Sequence, residues 1–330
     1  MADTWDEELA VQLETGARGE LIVPGIDVKA IVRKYTGKVG WPTVLLAFVL
    51  TAAYASVFIL WHYQYLPLVA GMAINSVVAY LFYTIHHDAN HKAISGRQKK
   101  WAWLDTALGT WSAIPLQLSF AAWSMDHLRH HAYTNDKKRD PDMLWSGTLA
   151  QIPVKWVFAN LLLLLAAMPG GRKMAKAVMR AMNPQAGRTS ESKPNPRILK
   201  EEAIMRRYTQ LCLLALAVSI PLGLFWPTMF LWLIPGRIGM LILVTILVWF
   251  PHYPYETTEQ FGASRIAPFP GSTPIMMEHD YHLIHHLYPS VPWYRYKSVY
   301  KEIRPFLVAN GAYMEGSSVT PRKKIRLLNA

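Results

Sequence analysis

Cysteine is almost missing from this chain. One residue of 330, Cys212, carries a thiol. That excludes an intrachain disulfide, a cysteine-ligated zinc site and an iron–sulfur cluster built by this chain alone. Charge is scarce as well, at 17% of residues, and the acidic sign is the scarcer: 22 Asp and Glu stand against 34 Lys and Arg, a formal net charge of +12. The first 40 residues open on Asp6, Glu7 and Glu8 and hold no apolar core of the kind a cleavable signal needs, so none is expected. No convincing nucleotide-binding loop is present, and no nucleic-acid partner is expected.

Long apolar runs take the place of charge. Pro42 to Trp61 and Leu66 to Ile85 are uncharged and separated only by His62 to Tyr65. About 20 apolar residues cross the roughly 30 Å hydrocarbon core of a bilayer, so this pair predicts a membrane hairpin. Tyr208 to Trp226 and Gly236 to Phe250 predict a second one. Trp41, Trp61, Tyr63, Tyr65, Trp226, Trp232 and Trp249 fall at or near the ends of these runs, as an aromatic belt does. Lys29, Arg33, Lys34 and Lys38 precede the first span, and the link His62 to Tyr65 has no basic residue. A further group, from Lys92 to Arg207, fills the central region. The positive-inside rule therefore puts both termini and the central region in the cytosol. Two other apolar stretches, Trp101 to Trp123 and Ile152 to Met168, are expected to be re-entrant or interfacial. Val28, Ile31, Val32 and Tyr35 form a helical stripe, read as an amphipathic helix on the membrane surface. Gly187 to Pro196 is the clearest polar loop.

The twelve histidines are clustered. HHDANH covers His86 to His91, HLRHH covers His127 to His131, and HLIHH covers His282 to His286, with His279 and His252 nearby. His87 and His91 are four apart and share a helix face. His127, His130 and His131 can point into one cavity, and His282, His285 and His286 repeat that spacing. His86 and His91, five apart, match less well. Many imidazoles meeting at one place need a cation, and sites rich in histidine without cysteine suit iron.

In this order and context the boxes resemble those of the membrane fatty acid desaturase superfamily, which includes acyl desaturases and carotenoid or other lipid hydroxylases. HHAYTNDKKRDPD after the second box and HHLYPSVPWYRY after the third extend the likeness, which runs from about Val44 to Arg304. The resemblance implies an all-α integral membrane protein. Four transmembrane helices in two hairpins would carry a cytosolic helical cap, residues 86–207 and 251–304, around a histidine-ligated di-iron site. Residues 1–41 would form a cytosolic N-terminal segment, 42–304 the membrane domain and 305–330 a tail. The implied ligands are His87, His91, His127, His130, His131, His282, His285 and His286. His252, just past the last span, is expected as one more. His86 and His279 remain as further ligands or supporting groups, and His62 on the opposite side should be irrelevant. Asp88, Asp126, Asp136, Asp140, Asp142 and Asp280 are candidates to orient ligands, and Asn135 to cap a turn or hold one.

Two iron ions with O2 as co-substrate imply oxidation of an unactivated C–H bond in a long hydrophobic lipid. Fatty-acyl desaturation is the first expectation and carotenoid ring hydroxylation the alternative, since the motifs do not separate them. Electrons must come from elsewhere. MPGG, Met168 to Gly171, lacks the histidine of the haem motif in fused b-type cytochrome domains, and a separate acidic donor of the ferredoxin kind would suit the basic face. A zinc-dependent membrane hydrolase is a more distant reading, since it needs about three protein ligands and a water. A non-catalytic receptor with a structural metal is another.

Overall fold

A computed structural model describes residues 20–182 and 196–314. The acidic start, most of the Gly187 to Pro196 loop and the end of the tail lie outside the described residues. Within them the chain is helical, apart from a single parallel bridge between Ile266 and Met314. The helices are α1 (Val28–Tyr35), α2 (Trp41–His62), α3 (Leu68–Asn90), α4 (Ala102–Leu116), α5 (Phe120–Tyr133), α6 (Ile152–Ala167), α7 (Gly171–Met182), α8 (Pro196–Ser219), α9 (Phe225–His252), α10 (Ser272–Met276), α11 (His282–Leu287) and α12 (Tyr296–Ala309).

Helix α2 begins with Pro42 in its first turn and runs 22 residues with a mean hydropathy of 2.3. Leu45, Phe48, Val49 and Ile59 are all exposed. An apolar helix that turns bulky side chains outward is built for lipid rather than water. Helix α3, by contrast, is the central rod. It packs on α2, α4 and α9, and from Val78 to Asn90 all but one residue is buried.

Helix α9 is broken twice by π-helical turns, at Met229–Leu233 and Val244–Trp249. Pro235 has no N–H to offer the Leu231 carbonyl four residues earlier. Tyr54 Oη (3.0 Å) and Asn75 Nδ2 (2.8 Å) donate to that carbonyl instead. Without water, a freed carbonyl needs such a donor. Glycine lets α3 and α9 approach closely: a Cβ at Gly239 would lie 2.9 Å from the Ser76 carbonyl oxygen and 3.0 Å from the Tyr80 nitrogen.

Among the described residues, the helices long and apolar enough to cross a membrane are Trp41–His62, Leu68–Asn90, Leu149–Ala167 and Phe225–His252. The number is as expected, but the third and fourth differ from the sequence assignment. Residues 208–226 do not form one helix. Helix α8 opens on a charged half containing Arg197, Lys200, Glu201, Glu202, Arg206 and Arg207, and stops at Ser219. A turn through Pro221 and Gly223 (φ +68°) follows. The last span is lengthened to 28 residues and contains Arg237. The hairpin path survives, because Arg129 of α5 reaches Glu201 at the start of α8 while α9 returns to end at His252. Leu149–Ala167 has the length and composition of a span. Before it Gly147 accepts from Trp249 Nε1, and after it Arg172 and Lys176 both pair with Glu202, beside Glu201. The last carbonyl of α6, Ala167, accepts from Gln210 Nε2 at 2.8 Å, about two turns further along α8 than Glu202.

Helices α4 and α5 form the reversal expected of Trp101 to Trp123. They turn at Gln117, which is left-handed at φ +54°, and the tip meets α9 at Trp232 and Arg237. Helix α1 is a correction. Its stripe of Val28, Ile31, Val32 and Tyr35 packs against the cluster of Ile303, Phe306 and Leu307 on α12, so protein rather than lipid covers it. Lys34 pairs with Glu302 at 2.6 Å, and Tyr35 Oη also donates to Glu302.

The Gly239 contact generates a prediction. Gly239→Ala pushes a methyl into the α3 backbone and is expected to destabilise the protein by about 1–3 kcal/mol, an overpacking cost. Thermal unfolding in detergent measures it, and an unchanged midpoint would contradict the close approach.

Candidate metal centre

Four elements deliver histidines to one buried place. The end of α3 brings His87 and its cap His91. Helix α5 brings His127, His130 and His131, the end of α9 brings His252, and α11 brings His282, His285 and His286. The Nε2 atoms face one another. His91 and His127 are 2.8 Å apart, His87 and His285 3.0 Å, His131 and His285 2.7 Å, His127 and His131 3.2 Å, and His130 and His286 3.4 Å. Three histidine ligand sets result among the described residues. His87, His91, His127 and His285 have nitrogens within 4.8 Å of one another. So do His130, His252 and His286, and so do His131, His285 and His286, which join the two.

This spacing fits metal ligation. Two imidazole nitrogens each about 2.1 Å from one ion sit roughly 3.0 Å apart at a right angle and roughly 3.4 Å apart at the tetrahedral angle. His87–His285, His127–His131 and His130–His286 fall in that range, while His91–His127 at 2.8 Å and His131–His285 at 2.7 Å are closer. Moreover, His252 Nε2 and His282 Nδ1 are buried without a hydrogen-bond partner. A buried lone pair left so is costly unless a cation takes it.

The outward nitrogens are held from behind, which fixes the tautomers. His130 Nδ1–H donates to Asp140 at 2.9 Å, with Asp142 at 3.3 Å. His252 Nδ1–H donates to the Ala263 carbonyl at 2.9 Å. His285 Nδ1 lies 3.2 Å from Tyr296 Oη, and His286 Nδ1 lies 3.4 Å from Thr134 Oγ1. His279 donates Nδ1–H to the Met276 carbonyl, which leaves its Nε2 to accept from His87 Nδ1 at 3.3 Å. With their Nδ1 protons so engaged, His87, His130 and His252 keep Nε2 free as the ligand atom.

Electrostatics agree. Burial, then repulsion from neighbouring imidazoles, pushes His127, His131, His282, His285 and His286 well below the ordinary imidazole range. Burial takes His91 down to about 3 and His279 to about 4. At neutral pH these rings are unprotonated, the form that binds a metal. His130 is the exception. Burial works against its charge, but Asp142, Asp140 and Asp126 outweigh it and raise the value.

Other expected residues land elsewhere. His282 touches the rings of His252 and His286 at centroid distances of 5.1 and 4.8 Å, beside the ligand sets. His86 points away: its Nδ1 meets the Gly109 carbonyl and its ring lies among Tyr83, Phe120 and Trp123. His62 is exposed against Tyr63. Asp88 holds no histidine; it accepts from Thr43 Oγ1 at 2.8 Å and from the Trp293 N–H at 3.2 Å, bracing α2, α3 and the segment after the third box. Asp126 pairs with Arg129, Asp136 with Arg139, and Asp280 accepts from Ser272 and Thr273. Asn135, left-handed at φ +61°, donates its backbone N–H to Asp140 Oδ2 and its Nδ2 protons to the Thr257 and Ala263 carbonyls. It thereby steadies the loop that holds His252. Tyr296, Thr134 and the Ala263 carbonyl are the partners that sequence reasoning missed. Tyr296 stands in the extension after the third box, but 11 residues from His285 no helical spacing links the two.

Comparison with known proteins decides the relationship. The family model described as fatty acid desaturase matches residues 63–317. This chain belongs to the fatty acid desaturase family. Within the family, the probable Delta(5) fatty acid desaturase C of Dictyostelium discoideum is 33% identical over 105 residues, 29% of this chain and 20% of that protein. The match spans a fifth of that relative's length. The three histidine boxes of this desaturase-family chain all lie inside the matched region 63–317.

The contrast between His279 and His86 generates a prediction. His279→Ala strands the His87 Nδ1 proton and is expected to weaken metal binding about 10- to 100-fold. His86→Ala should leave it unchanged. Chelator competition on the purified protein measures both, and equal metal retention by the two variants would remove His279 from the site.

Proposed function

We propose that this chain is an O2-dependent di-iron oxidase of lipid C–H bonds, and that its reaction is the desaturation of a fatty-acyl chain. The observation that carries this reading is the meeting of all three boxes and His252 in two adjoining nitrogen sets. His87, His91, His127 and His285 would hold one iron. His130, His252 and His286 would hold the other, with His131 between the two sets and His282 beside the second. Nine imidazoles exceed the three ligands plus water of a hydrolytic zinc site, which weighs against that alternative. Bound iron supplies reductive activation of O2 for removing hydrogen from an unactivated C–H bond.

The protein's own contribution is placement. Nδ1 partners steady His87, His130, His252, His285 and His286, and the buried setting keeps bulk water from the reacting atoms. The named relative is a probable fatty acid desaturase, which favours an acyl chain over a carotenoid ring. With one cysteine the chain cannot hold its own iron–sulfur cluster, so electrons would arrive from a separate ferredoxin-like donor. The same reading puts both termini and the metal centre on the cytosolic side of the membrane.

Purified active protein is expected to contain two irons per chain. His130→Ala or His285→Ala should abolish turnover while the protein still inserts in the membrane. Lipid and pigment profiles of an expressing strain identify the product. A new double bond in acyl chains supports desaturation, whereas an oxygenated carotenoid without it would replace that reading by ring hydroxylation. Topology gives a separate check. Reporter tags at both termini should report the cytosol and a tag in the His62 to Tyr65 link the opposite side; a terminus found outside would break the single-centre arrangement.

A further inference from the structure

Arg237 lies in the middle of α9, a membrane-span candidate, and among the described residues it has no ion-pair partner. A cation so placed is costly and in general marks a functional constraint. Its donors are instead used on neutral acceptors. Nε donates to Gln117 Oε1 at 2.9 Å, Nη1 to Asn160 Oδ1 at 3.1 Å, and Nη2 to the Leu116 and Gln117 carbonyls at 3.0 and 3.2 Å. Those two carbonyls end helix α4, where the helix dipole is negative. The contact is reciprocal. Gln117 Nε2 donates to the Trp232 and Leu233 carbonyls at 2.8 and 2.9 Å, within and beside the first π-helical turn of α9. Trp232 Nε1 donates to the Ile114 carbonyl at 3.0 Å. Only glycine permits the approach at position 236, where a Cβ would meet Gln117 Nε2 at 2.2 Å and the Pro115 carbonyl oxygen at 2.4 Å.

The tip of the α4–α5 hairpin is therefore clamped to the break in α9. Helix α5 leaves this tip and delivers His127, His130 and His131. Helix α9 leaves it in the same direction and delivers His252, 15 residues and about 22 Å beyond Arg237. His130 and His252 then belong to one nitrogen set. The two rods that must agree at the metal centre are thus pinned to each other at the far end.

We propose that Arg237 is a positioning residue: with Gln117 and Gly236 it sets the depth of the box-two helix against the last span, and so the register in which His130 meets His252. Its consequence for metal rests on the di-iron reading above; the clamp itself does not.

The test separates the two. In full-length Cys212→Ser protein, spin labels at Leu128 and Tyr253, both exposed, report the distance between α5 and the end of α9. Arg237→Met is expected to shift or broaden that distance by about 2 Å or more, since an apolar side chain of similar length cannot bond the hairpin tip. Gly236→Ala should do the same while removing no polar group, and it carries the test if Arg237→Met does not accumulate. Asn160→Leu cuts the bond to α6 alone and should leave the distance unchanged. Metal content of the Arg237→Met and Gly236→Ala proteins is expected to fall from two ions toward one, and kcat about tenfold, with KM within about twofold. Arg237→Lys should restore part of the loss. An unchanged distance in both variants overturns the clamp. A clamp-dependent distance in a protein that never binds two metals upholds the clamp and removes the di-iron reading.

Discussion

Burying imidazoles face to face is unfavourable unless something positive stands between them. Each Nε2 in the cluster presents a lone pair to another, several at about hydrogen-bond separation, and burial holds most of the rings in the neutral form. Protons could relieve this only by placing charge in a low dielectric. A metal ion relieves it directly, and its preferred angles match three of the five observed spacings. The surrounding construction keeps the crowded geometry from relaxing: carbonyls, carboxylates and hydroxyls take the outward N–H groups, and Asn135 ties the loops that carry two of those acceptors.

The ligands come from helix ends because helices are the rigid bodies available. Helix α3 is braced along its length by α2, α4 and α9, so its final turns are fixed in space. Glycines at 71 and 239 let those helices touch closely. Proline and π-helical turns in α9 free backbone carbonyls, and neighbouring side chains satisfy each named one, so an irregular helix is as well determined as a regular one. The short α11 has no such length. It depends on Leu283, Ile284, Tyr296 and Ile303, all buried, to seat the third box.

Much of this was legible in the sequence, for identifiable reasons. Helical spacing pointed to the histidines of all three boxes that meet here, and the family resemblance pointed to His252. Hydropathy found both early spans, because an uninterrupted uncharged run needs no context. It failed at residues 208–226, where apolarity continues through a turn that Pro221 and Gly223 impose. The stripe on α1 was seen, but periodicity says only that a face is apolar, not whether lipid or α12 covers it. Tyr296, Thr134 and Ala263 were invisible since their roles arise from contacts across 11, 152 and 11 residues with no periodic trace. Asp88 was drawn toward the histidines by adjacency in the chain, whereas its side chain points to Thr43 and Trp293.

The seam between the chain's two ends bears on biosynthesis. Asn310 both donates to the Leu21 carbonyl and accepts from its N–H, a closure over 289 residues, and α1 lies along α12. Synthesis runs from the N-terminus. The first two boxes are made while the third is still untranslated, when the sets that need His285 or His286 are incomplete. Helix α11 follows them and brings His285, which belongs both to the set of His87, His91 and His127 and to the joining set of His131 and His286. A chain stopped before α11 would carry the first two boxes without the imidazoles of the third.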